Sequence, residues 1–217
     1  RQERFFKIGE VAMENIDYDN LKKRGFLKQR QDGYFIFRTR MKRGVYEIDA
    51  LKKLSDIAGK YGNGFAHATT RQGLEIPFIK FENIPAVEAE VKLAGIDTGT
   101  SGPRLRTTTA CPGTNWCKTG LIDTFSLSEK IEKLGIVCAL DLPHKFKIAI
   151  SGCPNSCTRP QFSEIGIHGE AVSVGGERKI CHRVYLGGCG GRTPKAPIRF
   201  DKIFSEEEVL SLIVKVV

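Results

Sequence analysis

Four cysteines in two clusters, Cys111-x5-Cys117 and Cys153-x3-Cys157, restrict this chain more than any other feature. An iron–sulfur cube takes one protein thiolate per iron, and sulfur is the soft donor that such iron prefers. The second cluster lies in Ser151-Gly152-Cys153-Pro154-Asn155-Ser156-Cys157, a few residues after the dibasic Lys145-Phe146-Lys147. A basic segment running into a ligand loop points to an anion handled beside the metal. Structural zinc would use paired C-x2-C knuckles; neither that spacing nor a His-x3-5-His accompanies these cysteines. Pro154 and Asn155 predict a fixed irregular loop between the last two cysteines. Cys138, Cys181 and Cys189 fit no ligand pattern and are expected to be small buried thiols.

The cysteine count of seven is odd, a chain of 217 residues does not need staples, and no apolar segment follows Arg1-Gln2-Glu3-Arg4. These features predict free thiols in a reducing cytoplasm, with no signal peptide. No apolar run is long enough for a membrane span. The net charge of +9 allows three explanations: a solvated basic surface, a nucleic-acid partner, or an internal polyanion. No nucleic-acid reader motif is present, so that partner is set aside.

The pattern along the chain predicts an α+β fold. Residues 1–30 show no clear period and are expected to form an extended N-terminal arm. Gly33 to Met41 alternates as a strand, with Tyr34, Ile36, Arg38 and Arg40 on one face and Phe35, Phe37, Thr39 and Met41 on the other. Glu47 to Tyr61 has a helical stripe of Ile48, Leu51, Leu54, Ile57 and Ala58. A second strand is expected over Ala66 to Ile79, carrying Thr69-Thr70-Arg71-Gln72-Gly73, and a helix from Ile84-Pro85 to Leu93. Gly99 to Pro103 is the linker candidate. Beyond it, a helix is predicted over Lys118 to Leu134. Lys145 to Ser151 is predicted to be a strand with both lysines on one face, and Ile165–Val174 and Arg183–Leu186 to be short strands. A closing helix has the capping box Ser205-Glu206-Glu207-Glu208. The glycine-rich Gly187–Gly191 lacks the order of a dinucleotide fingerprint.

Arg38 and Arg40, like Lys145 and Lys147, form a basic pair at strand spacing. Any one of them alone fits a solvated strand face. Two such pairs, each backed by an apolar face, fit a pocket that holds an oxyanion and stabilises charge as oxygen leaves. Arginine supplies forked contacts, and lysine a compact charge able to deliver protons.

In these motifs the chain resembles the siroheme- and [4Fe-4S]-dependent sulfite and nitrite reductases, and in size their small single-chain, assimilatory-type members. The resemblance implies an arm over 1–24, a ferredoxin-like half-domain over 25–98, and a mixed α/β siroheme- and [4Fe-4S]-binding domain over 99–217. It implies that Cys111, Cys117, Cys153 and Cys157 hold the cube, with Cys157 also meeting the siroheme iron. It implies substrate contacts for Arg38, Lys145 and Lys147, and for either Arg106 or Arg104. Arg40, Thr69, Arg71, Gln72, Arg104 and Asn155 are the implied cofactor contacts. The implied reaction is six-electron reduction of sulfite to sulfide, with nitrite as the close competitor. Electrons would come from a separate carrier such as ferredoxin, since no nicotinamide or flavin motif is present. A pure electron-transfer iron–sulfur protein is the rival from another class. Larger relatives offer a further Arg and a His where this chain has His67 and Pro77. They also contain two copies of the architecture, so a single copy implies either a homodimer with composite sites or a rearranged monomer.

Overall fold

A computed structural model describes residues 16–99, 101–139 and 141–217. Residues 1–15 of the expected arm therefore lie outside the described residues. The described end of the arm is not extended: Tyr18–Lys23 form helix α1, capped by the Asp17 carboxylate accepting from the Asp19 and Asn20 amides. Leu21 of this helix is buried in the core, which ties the end of the arm to the half-domain.

The first unit continues with β1 (Phe26–Lys28), β2 (Tyr34–Arg38), α2 (Ile48–Tyr61), β3 (His67–Ala68), β4 (Leu74–Lys80) and α3 (Ile84–Leu93). Its antiparallel sheet runs β1-β2-β4-β3. The alternation in β2 holds: Phe35 and Phe37 are buried while Tyr34, Ile36 and Arg38 are partly exposed. The two phenylalanines meet Phe26, Leu54, Ile57, Ile76, Ile79 and Val87 in one core. Only part of the predicted α2 stripe joins it. Leu54, Ile57 and Ala58 are buried, but Ile48 is 65% exposed. The buried residues of α2 lie toward its C-terminal end, while its first turn is open to solvent. The predicted strand over 66–79 is likewise broken into β3 and β4. Thr69 folds the chain back, its amide donating to the Gly73 carbonyl and its hydroxyl accepting from the Gly73 amide, with Gln72 left-handed at φ +65.

The second unit contains β5 (Thr109–Ala110), α4 (Thr124–Lys133), β6 (Ile148–Ser151), β7 (Ile165–Val174), β8 (Glu177–Leu186), β9 (Ile198–Arg199) and α5 (Glu206–Val216). Its sheet runs β5-β6-β7-β8-β9, with β5, β6 and β7 parallel and the rest antiparallel. Leu105, Leu127, Ile131, Ile148, Ile167, Val184 and Ile213 centre its core. The predicted half-exposed strand over 145–151 is corrected here. Only 148–151 are strand, and all four residues are buried, as befits a central parallel strand covered on both faces. The two lysines lie in the segment leading into it. β8 begins six residues earlier than expected, because Gly175 and Gly176, both at positive φ, turn β7 directly back into a hairpin. The capping box of α5 is present as expected.

Candidate functional site

The cysteines sit on two loops held together by close backbone approach. The first loop contains a 3-10 turn at Gly113–Asn115, and the second follows β6. A Cβ on Gly152 would meet the Gly113 Cα at 2.6 Å, and one on Gly120 would overlap the Gly113 carbonyl. Only glycine allows the loops this close. The predicted helix over 118–134 starts late for the same reason. Residues 118–123 instead lash the loops together, with Leu121 and Ile122 both donating their amides to the Gly152 carbonyl (2.8 and 3.3 Å). Helix α4 then begins at Thr124, capped by the Asp123 carboxylate.

All seven cysteines are free thiols. The Gly152 amide donates to Cys111 Sγ at 3.0 Å. Thr119 Oγ1 lies 3.3 Å from Cys117 Sγ and 3.6 Å from Cys153 Sγ, so one hydroxyl serves a cysteine from each loop. That hydroxyl, with nearby backbone amides, draws the Cys117 thiol below its ordinary range, toward the thiolate that iron binds. Cys157 is exposed, on a cavity of about 420 Å³ that Thr70, Gln72 and Arg159 also line. Ser156 and Arg159, on either side of it, are non-glycine residues in the left-handed region (φ +53 and +52), a conformation that the surroundings must hold. Asn155 is exposed at the loop tip. Among the described residues no three His, Cys, Asp or Glu side chains close on the point a single ion would occupy. A cube is several atoms wide and takes its thiolates from further apart. Four free thiols, an amide aimed at one sulfur and glycines at each close approach fit such a group.

The cations meet next to these loops. Arg38, Arg71 and Arg106 line one cavity of about 170 Å³, together with Thr69 and Thr107. Arg71 Nη2 donates to the Thr107 carbonyl, and its buried Nε has no hydrogen-bond partner. Burial, with Arg106 close by, pushes the Arg71 guanidinium down to about 10. Arg106 is also lowered, first by burial and then by the charges of Arg38 and Arg104. Like charges gathered this tightly, one with an unsatisfied buried donor, fit a polycarboxylate such as siroheme or an oxyanion. Arg106 also faces a larger cavity of about 640 Å³, with Lys145, His144, Cys189 and Lys195.

Other predicted residues are placed elsewhere. Arg104 is buried and paired with Asp141 at 2.6 Å, so of the two candidate arginines it is Arg106 that lines the cavities. Arg40, between Thr39 and Met41, which line the smaller cavity, pairs with Glu132 of α4. Lys147 Nζ donates to the Phe162 carbonyl (3.1 Å) and lies 3.7 Å from Glu164, whereas Lys145 opens on the large cavity. Gln72 clasps the Ala110 backbone through both amide atoms (2.7 and 2.9 Å), fixing the β3–β4 turn against the strand that leads to Cys111. Cys181 is buried as expected, but Cys138 is only partly buried and Cys189 is on a cavity wall. Two carboxylates that hold these cationic segments gave no sign of themselves in the sequence. Glu75 grips Arg38, and Glu164 accepts from the Lys147 amide at 2.8 Å. A lone Glu on a half-exposed strand looks like any solvated side chain.

Known proteins resemble this chain in sequence and in fold. The model of the nitrite and sulphite reductase 4Fe-4S domain matches residues 101–217, and that of the nitrite/sulfite reductase ferredoxin-like half domain matches residues 27–94. The chain is 38% identical over 191 residues to the coenzyme F420-dependent sulfite reductase of Methanocaldococcus jannaschii, covering 86% of this chain and 29% of that protein. It is 32% identical over 174 residues to a subunit of the anaerobic sulfite reductase of Salmonella typhimurium, covering 72% of this chain and 50% of that one. Among solved structures, the NirA protein of Mycobacterium tuberculosis superposes with a TM-score of 0.76 at 21% identity, over 91% of this chain and 39% of that one. The chain thus spans half or less of the length of these relatives. It belongs to the nitrite and sulphite reductase family, as a ferredoxin-like half-domain followed by the family's 4Fe-4S domain.

Proposed function

We propose that this chain reduces sulfite to sulfide, with siroheme and a [4Fe-4S] cube as its cofactors. The observation that carries this reading is the gathering of Arg38, Arg71 and Arg106 around one cavity beside the Cys157 loop. Cys111, Cys117, Cys153 and Cys157 would hold the cube, and Cys157, exposed on its cavity, would also be a residue that holds the siroheme. Arg71 would meet siroheme carboxylates, with Thr69 and Gln72 shaping that wall. When bound, macrocycle and cube together supply the six-electron redox chemistry.

The chain's own contribution is positioning and positive potential. Arg38 and Arg106 bind the substrate oxygens through forked N–H groups, in a cavity where low dielectric strengthens each contact. Lys145 Nζ, on the large cavity, holds a proton for an oxygen that departs as water; Lys147 supports the same charge from its seat on Phe162. The free thiols suit a reducing cytoplasm, and electrons arrive from a separate protein or coenzyme carrier. Among the described residues no helix is long and apolar enough to cross a membrane. Nitrite, a smaller monoanion, is the competing substrate.

The protein isolated without oxygen is expected to contain iron and acid-labile sulfide in the ratio of one cube plus one haem iron. Given a reduced dye, it is expected to turn over sulfite with a higher kcat/KM than nitrite. Iron-free protein after anaerobic reconstitution would contradict the reading, and a reversed substrate ratio would replace sulfite with nitrite.

A further inference from the structure

We propose that Glu75 positions Arg38 and, by cancelling one positive charge, sets the preference of the anion site between a dianion and a monoanion. This role deepens the oxyanion-reducing function proposed for the site and rests on it.

Strand register carries the argument. Arg38 of β2 lies opposite Glu75 of β4, and His67 of β3 lies opposite the same Glu75. The three form one row across three strands, on the face turned away from the buried Phe35, Phe37 and Ile76. Glu75 Oε1 accepts from Arg38 Nε (2.7 Å) and Nη2 (2.5 Å), and Oε2 lies 3.3 Å from His67 Nδ1. Both carboxylate oxygens are therefore engaged, on a side chain only 14% exposed. Arg38 Nη1 has no partner among the described residues, and it is the end left for a ligand in the cavity that Arg38 lines.

A guanidinium gripped along one edge by a carboxylate keeps a fixed plane, so its remaining donors meet an oxyanion without first losing rotamer freedom. The same carboxylate also opposes any anion that enters. Its repulsion scales with ligand charge, falling about twice as hard on dianionic sulfite as on nitrite. Glu75 thus holds the cavity short of its full positive potential, which keeps a monoanion competitive. A purely structural Glu75 would act on both anions alike.

The test uses the full chain with its cofactors, oxidised and without reductant so that neither anion is consumed. Calorimetric dissociation constants for sulfite and nitrite are measured in mildly alkaline buffer, where sulfite is dianionic. Glu75→Gln keeps an acceptor for Arg38 but removes the charge, and is expected to tighten sulfite about fivefold more than nitrite. Glu75→Asp keeps the charge but shortens the reach; it is expected to weaken both anions several-fold with their ratio unchanged. Equal shifts in Glu75→Gln, or an altered ratio in Glu75→Asp, would overturn the role given to Glu75. Unsubstituted protein that bound neither anion would instead overturn the oxyanion reading of the site itself.

Discussion

At the scale of single residues, the site is a question of which cations are already committed. Arg104 has Asp141, Arg40 has Glu132 and Lys147 has the Phe162 carbonyl, whereas Lys145 opens on a cavity shared with Arg106. Lys145→Ala is therefore expected to lower sulfite turnover about 10²-fold, the usual effect of removing one preorganised charge from a reacting oxygen, with iron content and melting temperature unchanged. Lys147→Ala is expected to lower turnover too, but together with the melting temperature, because Phe162 loses its donor. Steady-state kinetics and calorimetric melts separate the two; equal melting shifts would contradict the distinction. Arg38 and the cysteines stood out in the sequence through strand period and loop spacing, whereas Arg71, at a strand bend, was singled out only by the family resemblance. Glu75, Glu132 and Asp141 did not stand out at all. Each meets its arginine from a distant part of the chain, and an isolated carboxylate carries no mark of its partner until the fold brings the pair together.

At the scale of elements, two ties set the geometry. Arg40, just after β2, reaches Glu132 on α4, and both side chains are mostly buried (17% and 8% exposed). The family resemblance implies a cofactor contact for Arg40; its pair with α4 also ties the two units together. Removing one partner of a buried pair leaves an uncompensated charge, so Glu132→Ala is expected to cost about 3–5 kcal/mol in denaturant unfolding. A loss below about 1 kcal/mol would mean that the tie is loose. On β7, Glu170 meets the buried Arg183 at 2.5 Å, and that guanidinium draws its carboxyl below the ordinary range. A depressed carboxylate contributes stability above its unfolded pKa of about 4.3 and loses it as pH falls through the folded value. The melting gap between the unsubstituted protein and Glu170→Gln is thus expected to be full at neutral pH and to close below about pH 4. A gap that stayed constant would place the effect in packing. Elements with a strong period, α3, β7 and α5, were readable in advance. β6 and the start of α4 were not, since burial on both faces erases alternation and the cysteine loops use residues 118–123 for tethering.

At the scale of the molecule, two hydrophobic cores flank one polar seam. Gln72 and Arg71 from the first unit bond the backbone of the second on either side of Thr109, immediately before the first cysteine loop. The ferredoxin-like half thus sets Arg71 and Gln72 against the backbone of the 4Fe-4S domain. The excess of 34 Lys and Arg over 25 Asp and Glu gains an internal destination, since part of it lines cavities along this seam. The measurement closest to the central claim is the visible spectrum of the anaerobically purified protein, recorded while sulfite is added. Tetrapyrrole bands are expected to shift saturably with sulfite in the unsubstituted protein and only at much higher sulfite in Arg106→Ala. Tetrapyrrole bands indifferent to sulfite, or an iron–sulfur spectrum with no macrocycle at all, would contradict it.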